Sequence, residues 1–446
     1  MKINWFSPVP PTKSSIALDT AAILPALARR AEVMLWVREE TWLPSLEEHA
    51  RVRRYDPFAM PWSEINSAAA TFYHIGNEPR YHGPIWQVNR QHPGIVVLHD
   101  LNLQEFFVTL ATEMEIISRR DYLQMMEFYH PEQGRMLRDA RLAGPKGNVE
   151  IGAECPLTGA GIENALGVAV HTRSGCELLS RATDLPIAYV PLFALPNPDL
   201  PSGEAEFRSH ARESSPEPYR IIIFGFLGLN RRLHSCVQAF HQFPEHNRFR
   251  LEIYGTIAHV DPFLQLIADL GIGQFVTAHG FVSDSELNDA LAQSHLALNL
   301  RDPTMGEASA SQLRIWQYGL PSLVTDIGWY ATLPANTVAK VRRDFELEDI
   351  QAHLAGFLAD PERYREMGQN GRVYVNENHT VDAYLDGLWE LIAATAASRH
   401  RENACWMAGR AGLSMRPWFT DEATDVCLPR LAGAIHDLFD EPETGR

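Results

Sequence analysis

Short apolar runs, each closed by a polar loop and followed by a helical stripe, recur along the chain. Ile3–Phe6 is the first run; the stripe Ile16, Ile23, Leu24 and Leu27 predicts a helix from about Ile16 to Arg30, and Val33–Val37 is the next strand. Further strands are predicted at Ala70–Ile75, Ile95–Leu98, Gly167–His171 and Ile187–Val190, with a long, mainly helical insertion at about 101–154. From Pro196 to Pro218 the composition turns to Pro, Ser, Glu and Gly, which marks a linker. Arg220–Gly225 then starts the pattern again, and Arg250–Tyr254, Phe275–Thr277, Leu296–Leu300, Ser322–Thr325 and Val338–Val341 continue it. Helices are predicted at Asp261–Leu270, through Leu313, Trp316 and Gln317, and at Leu347–Leu358, Pro361–Asn378 and Thr380–Ala397. The fold class is therefore α/β, with two doubly wound, Rossmann-like parallel-sheet domains. The predicted boundaries are 1–200 for the first domain, 201–218 for the linker, 219–390 for the second domain and 391–446 for a helical extension.

Composition narrows the function. A length of 446 residues suits two cores rather than one. A formal net charge of -17 argues against nucleic acid as the main partner, since phosphate backbones select for surplus Lys and Arg. Arg51, Arg53 and Arg54 cluster locally and read as a solvated face or a contact for acidic lipid or acceptor. The cysteines (Cys155, Cys176, Cys236, Cys405, Cys427) are scattered, with no C-x-x-C pair, which fits reduced thiols and no zinc site. No apolar run approaches ~20 residues and no signal peptide is visible. The expectation is a cytoplasmic protein, with room for peripheral contact at the inner face of a membrane.

The candidate chemistry sits at strand ends, where open α/β sheets bind ligands. Gly76 and Asn77 follow one predicted strand, and His99 and Asp100 another. After Leu300 comes a loop of small residues, Gly306, Ala308, Ser309, Ala310 and Ser311, leading into a helix. Bare backbone N–H groups at such a helix start, aided by the helix dipole, suit a phosphate or diphosphate. Packing with small residues is the alternative. Ser283 and Glu286 form a capping box for another helix.

The stretch Pro303-Thr304-Met305-Gly306-Glu307, Ser311, Leu313-Arg314, Gly319, Pro321, Thr325-Asp326, Gly328-Trp329, Leu333-Pro334 resembles the donor-binding segment of retaining GT-B glycosyltransferases of the family 4 type, in particular a bacterial surface-polysaccharide subgroup. The opening Ser7-Pro8-Val9-Pro10-Pro11 also resembles that subgroup, with Ser15 where a glycine is expected. The resemblance implies two domains facing across a cleft and transfer of a sugar from a nucleotide-diphosphate sugar to a glycan or lipid-linked acceptor. It implies no metal and no cofactor besides the donor. His99, Arg231 and Glu307 would be catalytic: His99 bonding the transferred sugar, Arg231 neutralising the departing diphosphate, and Glu307 holding sugar hydroxyls. Donor contacts would come from Ser15, Asn230, Arg232, Gly280, Phe281, Val282, Met305, Gly306, Ser309, Ala310, Ser311 and Arg314, with Gly76, Asn77 and Asp100 on the acceptor side. Residues 391–446 would pack back on the first domain.

The sequence also departs from the family. Phe226 replaces an Arg common in the loop after the first strand of the second domain, and Arg232 is the candidate to cover for it. The usual pair of glutamates eight positions apart would fall on Gly306 and Arg314. Three readings stay open: a retaining transferase, a sugar-nucleotide epimerase, and a catalytically silent domain that binds partners.

Overall fold

In the first sheet, β1 (Lys2–Phe6) lies at the centre, with β2 (Glu32–Val37) and β3 (Arg51–Arg54) on one side and β4 (Ala70–Ile75), β5 (Gly94–Leu98), β6 (Ala165–Val170) and β7 (Ile187–Tyr189) on the other. The chain is described by a computed structural model that covers residues 1–139, 154–197, 200, 217–396 and 407. All pairings in this sheet are parallel. Its inner strands β1, β2, β4, β5 and β6 are buried along nearly their whole length, as helices on both faces require. The one polar side chain deep in β1, Asn4, is satisfied by Ile65 O, Thr71 Oγ1 and the Trp36 indole N–H.

Strand β3 was not predicted. The cluster Arg51, Arg53 and Arg54, read as a solvated face, is exposed and lies on an edge strand paired with β2. Only Val52 carries the strand's apolar character, too little for a periodicity signal. Arg53 pairs with Glu64 and Arg54 with Glu40, so two of the three cations are balanced locally. Of the predicted insertion, helices Gln104–Thr112, Arg119–Tyr129 and Pro131–Asp139 are seen; Phe106, Phe107, Tyr122 and Met126 join the first core, whereas Phe128 and Met136 are exposed. Residues 140–153 of it, most of the linker and most of the extension lie outside the described residues.

The second sheet runs β10 (Val276–Gly280), β9 (Phe249–Tyr254), β8 (Tyr219–Phe224), β11 (Leu296–Leu298), β12 (Ser322–Thr325) and β13 (Ala339–Val341). Both sheets share one order around their first strand, with the direction of winding reversing between β1 and β4 and between β8 and β11. Each such switch point leaves a crevice at the carboxyl ends of the strands. The chain divides into two compact units, Met1–Val190 with Leu385 onward, and Pro191–Tyr384. The division precedes the Pro- and Ser-rich stretch because Leu192 already packs with Leu313, Trp316 and Trp329, and Gln317 Nε2 donates to Leu195 O.

In the second unit, β8, β9 and β10 each run into a glycine. Gly225 and Gly255 have φ of +116° and Gly280 has φ of +72°. Gly225 N donates to Tyr254 O and Gly255 N to Gly280 O, at 3.0 and 2.6 Å. The three strand ends are thereby laced together by backbone. A Cβ at Gly255 would stand 2.0 Å from Gly225 O, which no relaxation of a side chain can relieve. Gly255→Ala is expected to destabilise the protein by at least ~2 kcal/mol, through backbone strain and overpacking together. Thermal melts of the variant check this.

Candidate active site

The loop after β8 contains a 3-10 turn, Leu229–Arg231, followed by Arg232 with φ of +58°. This sharp turn sends the Arg231 side chain inward, where it is 4% exposed. Its Nη2 donates to Phe224 O at 3.1 Å, while its Nε is buried with no partner. Burial, and secondarily the neighbouring Arg301, lower its pKa to about 10, against smaller opposing effects of Tyr330, Glu307 and Cys236. The guanidinium still carries its charge at neutral pH.

The small-residue loop and helix are built as the spacing suggests. Ser309 caps the helix Ala310–Gln317, its side chain accepting from Gln312 N at 3.2 Å. Gln312, fully buried, accepts from Asn299 Nδ2 at 2.9 Å and donates to Ser322 Oγ at 2.8 Å. That bridge seats the helix on β12 and on the chain leaving β11. A methyl at Gly225 would lie 3.7 Å from Ser311 Oγ and 4.0 Å from Arg231 Nη2. Gly225, Arg231 and the helix start at Ser311 therefore surround one small space, rich in positive potential.

Glu307 stands beside this space, but its carboxylate is held by its own loop. Oε1 accepts from the Arg301 guanidinium, and Oε2 from Thr304 Oγ1 at 3.0 Å and Met305 N at 2.6 Å. Arg301 thus pairs with the buried carboxylate whose field also reaches Arg231. Sequence reasoning missed Arg301, although an Arg directly after a buried strand, at the carboxyl edge, was a usable signal.

Two residues expected at the donor are engaged elsewhere. Arg232 does not cover for Phe226: its Nε and Nη2 donate to both oxygens of Glu346, which is nearly buried. Arg314 bonds Asp284 Oδ1 at 2.9 Å and Asn288 Oδ1 at 2.7 Å on the helix Asp284–Gln293. In each case a carboxylate distant in sequence draws the guanidinium, and spacing alone carries no sign of it. Asn230 accepts from Asp302 N through its carbonyl, and Gly306 has φ of +78° in the turn to Glu307. At the end of β10, Phe281 is 65% exposed, and the Ser283–Glu286 capping box follows Val282.

In the first unit His99 is half-buried at the end of β5. Its Nε2 lies 2.9 Å from His74 Nδ1, and its ring centroid is 4.9 Å from that of His171. Burial, then the neighbouring histidines, lowers the pKa of His74 and of His99 well below the usual imidazole value, so both are neutral. A 2.9 Å contact between neutral rings needs one N–H and one lone pair. His74 Nε2 is buried without a partner, and a bare lone pair there costs less than an orphaned N–H. His74 therefore donates from Nδ1, and His99 carries its own proton on Nδ1. His99 is thus set to donate a hydrogen bond.

Around His99 the predicted neighbours serve the scaffold. Asn77 N donates to Asp100 Oδ2 at 2.8 Å, and Asn77 Oδ1 accepts from Phe106 N at the start of Gln104–Thr112. A Cβ at Gly76 would meet Asp100 Oδ2, His82 Nε2 and Ile16 Cδ1, each at 3.2 Å. Ser15, first in the helix Ser15–Ala28, is exposed. Among the described residues no group of three or more His, Cys, Asp or Glu is arranged to hold a metal ion, and no helix is long and apolar enough to cross a membrane.

Residues 206–374 match the family model of glycosyl transferases group 1. No curated protein matches the chain. Among solved structures, sucrose-phosphate synthase from Thermosynechococcus elongatus is similar at 15% identity, with a TM-score of 0.57 over 90% of this chain and 98% of that one. HepE from Anabaena, in complex with UDP and glucose, is similar at 12% identity, TM-score 0.57, over 88% and 100%. WaaG, a glycosyltransferase involved in lipopolysaccharide biosynthesis, is similar at 14% identity, TM-score 0.53, over 86% and 98%. At these identities the likeness is one of fold, and the fold is GT-B, with two Rossmann-like parallel-sheet units. The family match supports transfer of a glycosyl group from a nucleotide sugar.

The buried histidines set a pH response. Burial lowers the pKa of His82 and of His171 from 6.5 to about 4. The unfolded chain therefore binds more protons between those values, and stability falls as pH falls from ~6.5 toward 4, by on the order of 3 kcal/mol for each. Asp19 acts in the opposite sense, since burial raises its pKa to about 7 and its cost grows from pH 3.8 upward. Melting temperature is expected to drop on acidification below pH ~6.5. Asp19→Asn should raise it at pH 8, change it little at pH 4, and so steepen the acid limb.

Proposed function

We propose that the protein is a retaining, metal-independent glycosyltransferase that moves a sugar from a nucleotide-diphosphate donor to a hydroxyl of a glycan or lipid-linked acceptor. The observation that carries this reading is the buried Arg231 guanidinium, with an unpartnered Nε, beside Gly225 and the capped start of Ala310–Gln317. A charge held in that way, with aligned backbone N–H groups, suits an anion whose charge grows during reaction. In glycosyl transfer that anion is the departing diphosphate. The C1–O bond to phosphate breaks with its electron pair moving to the phosphate oxygen. The acceptor oxygen bonds to C1 on the same face, and its proton passes to the departing phosphate oxygen.

Within this reading Arg231 and the N–H groups around Ser311 stabilise the leaving group. Glu307 fixes the Thr304–Gly306 turn while a remaining lone pair on Oε1 faces sugar hydroxyls. His99 donates Nδ1–H to a hydroxyl of the transferred sugar and takes no proton. One structural neighbour, HepE, was solved with UDP and glucose and with UDP-glucose, so UDP-sugars are the first donors to test. We place the activity in surface-polysaccharide or glycoconjugate synthesis, in the cytoplasm, with peripheral contact to the inner face of the membrane. The reading as a silent binding domain draws on Phe226 and on the diversion of Arg232 and Arg314. Slow hydrolysis of UDP-sugars and GDP-sugars by the purified protein separates the two, since a silent domain releases no nucleoside diphosphate.

Arg231→Ala is expected to slow transfer at saturating donor by at least about a hundredfold, ~3 kcal/mol of barrier. Single-turnover rates check it, with the melting curve as the folding control. Glu307→Gln is expected to lower both rate and melting temperature, because it leaves Arg301 facing a neutral amide at a cost of ~1–3 kcal/mol. Normal turnover with a lowered melting temperature would reduce Glu307 to a loop clamp.

A further inference from the structure

The first unit holds a pocket that none of these roles uses. It opens at the carboxyl ends of four neighbouring strands: Ser7 follows β1, Arg38 follows β2, Tyr55 follows β3, and Arg80 lies at the start of Pro79–Asn89 after β4. Its volume is about 200 Å³. At ~30 Å³ per water that is room for one six-membered ring with its substituents, and too little for a nucleotide.

The polar groups of the wall are unequally committed. Glu39 is taken: its Oε1 accepts from Val9 N and Thr12 Oγ1, both at 3.0 Å, and its Oε2 from Arg38 N. Arg38 donates Nη1 to Tyr55 O at 2.8 Å and lies 5.8 Å over the Tyr55 ring, which fixes the guanidinium and leaves its other N–H groups uncommitted. The guanidinium of Arg80 has no partner among the described residues. The Tyr55 side chain is 4% exposed and its hydroxyl has no hydrogen-bond partner. A buried hydroxyl left bare costs stability, and positions of that kind point to a ligand atom. Ile85 supplies an apolar wall.

Two guanidiniums against one committed carboxylate give a positive pocket on a chain whose net charge is -17. The combination of ring-sized volume, fork-shaped donors and a phenol hydroxyl fits a carboxylate borne on a sugar ring. We infer that this pocket takes a uronic acid residue of the acceptor, an inference that rests on the glycosyl-transfer reading for the word acceptor but not for the binding itself. Arg38 and Arg80 hold the carboxylate, and Tyr55 donates to a ring hydroxyl.

The test is direct binding to the full chain by calorimetry, with methyl glucuronide, methyl glucoside and glucose 6-phosphate as probes. Methyl glucuronide is expected to bind at least about tenfold more tightly than methyl glucoside, as loss of charge-assisted hydrogen bonds predicts. Arg80→Ala, on an exposed side chain that the fold does not use, should weaken glucuronide about tenfold and leave glucoside and donor hydrolysis unchanged. Tyr55→Phe should weaken both sugars while the melting temperature holds. Equal binding of glucuronide and glucoside, or no effect of Arg80→Ala on glucuronide, overturns the proposal. Tighter binding of glucose 6-phosphate than of glucuronide replaces carboxylate with phosphate and overturns it as stated. Donor hydrolysis in the same preparation reports on the transferase reading separately, so either can fail alone.

Discussion

A buried guanidinium is the constraint on which the second unit's site depends. Taking Arg231 out of water carries a desolvation penalty that a single backbone carbonyl, Phe224 O, does not offset. Glu307 supplies attraction, but Arg301 claims one of its oxygens and repels Arg231 in turn. Among the described contacts of Arg231 and Glu307, one carboxylate thus stands against two guanidiniums. An anion seated at Gly225 and Ser311 would add attraction for Arg231, and its binding energy would then be greatest where the ligand's charge is greatest. That is the condition for favouring a departing diphosphate over the intact donor.

At the ends of β4, β5 and β6 the first unit presents neutral rings rather than a buried charge. His74, His82, His99 and His171 crowd the ends of β4, β5 and β6 and the helix behind them, and burial keeps all four neutral. A charged imidazole near an oxocarbenium-like sugar would oppose the positive charge growing there, whereas a neutral N–H donor orients a hydroxyl without that penalty. The His74–His99 hydrogen bond sets which ring nitrogen is offered. A Cβ at the neighbouring Gly76 would press on Asp100, His82 and Ile16 at 3.2 Å, so the His82 ring is held by close packing as well as by its hydrogen bond to His74 O.

The fold was largely legible in the sequence because parallel strands buried on both faces read as unbroken apolar runs. The stop at Gly319 and Pro321 and the Ser283–Glu286 box lie where the spacing placed them, and the strand expected at Leu296–Leu300 forms over Leu296–Leu298. Strand β3 was lost because an edge strand made of Arg51, Val52, Arg53 and Arg54 carries one apolar residue. The site was legible only in part. Glu307 and Ser311 share one loop and helix start that the spacing marked, whereas Arg231 reaches them from the loop after β8, a meeting that the resemblance and not the spacing implied. Arg301, Glu346 and the histidines around His99 could not be paired from sequence, because each contact joins segments whose separation depends on the sheet order.

The turn at Arg232 connects these levels. Its φ of +58° is a conformation that costs a non-glycine residue on the order of 1 kcal/mol. Three N–H···O contacts to Glu346 offset that cost, and they anchor the loop to the helix Glu346–Ala359. The same turn is what carries the preceding residue, Arg231, from the rim into the interior. Arg232 is therefore the residue whose turn and tether to Glu346 make the buried charge possible. A glycine there would adopt the backbone freely but release Glu346, and the Arg231 loop would lose its only side-chain tether to that helix among the described residues.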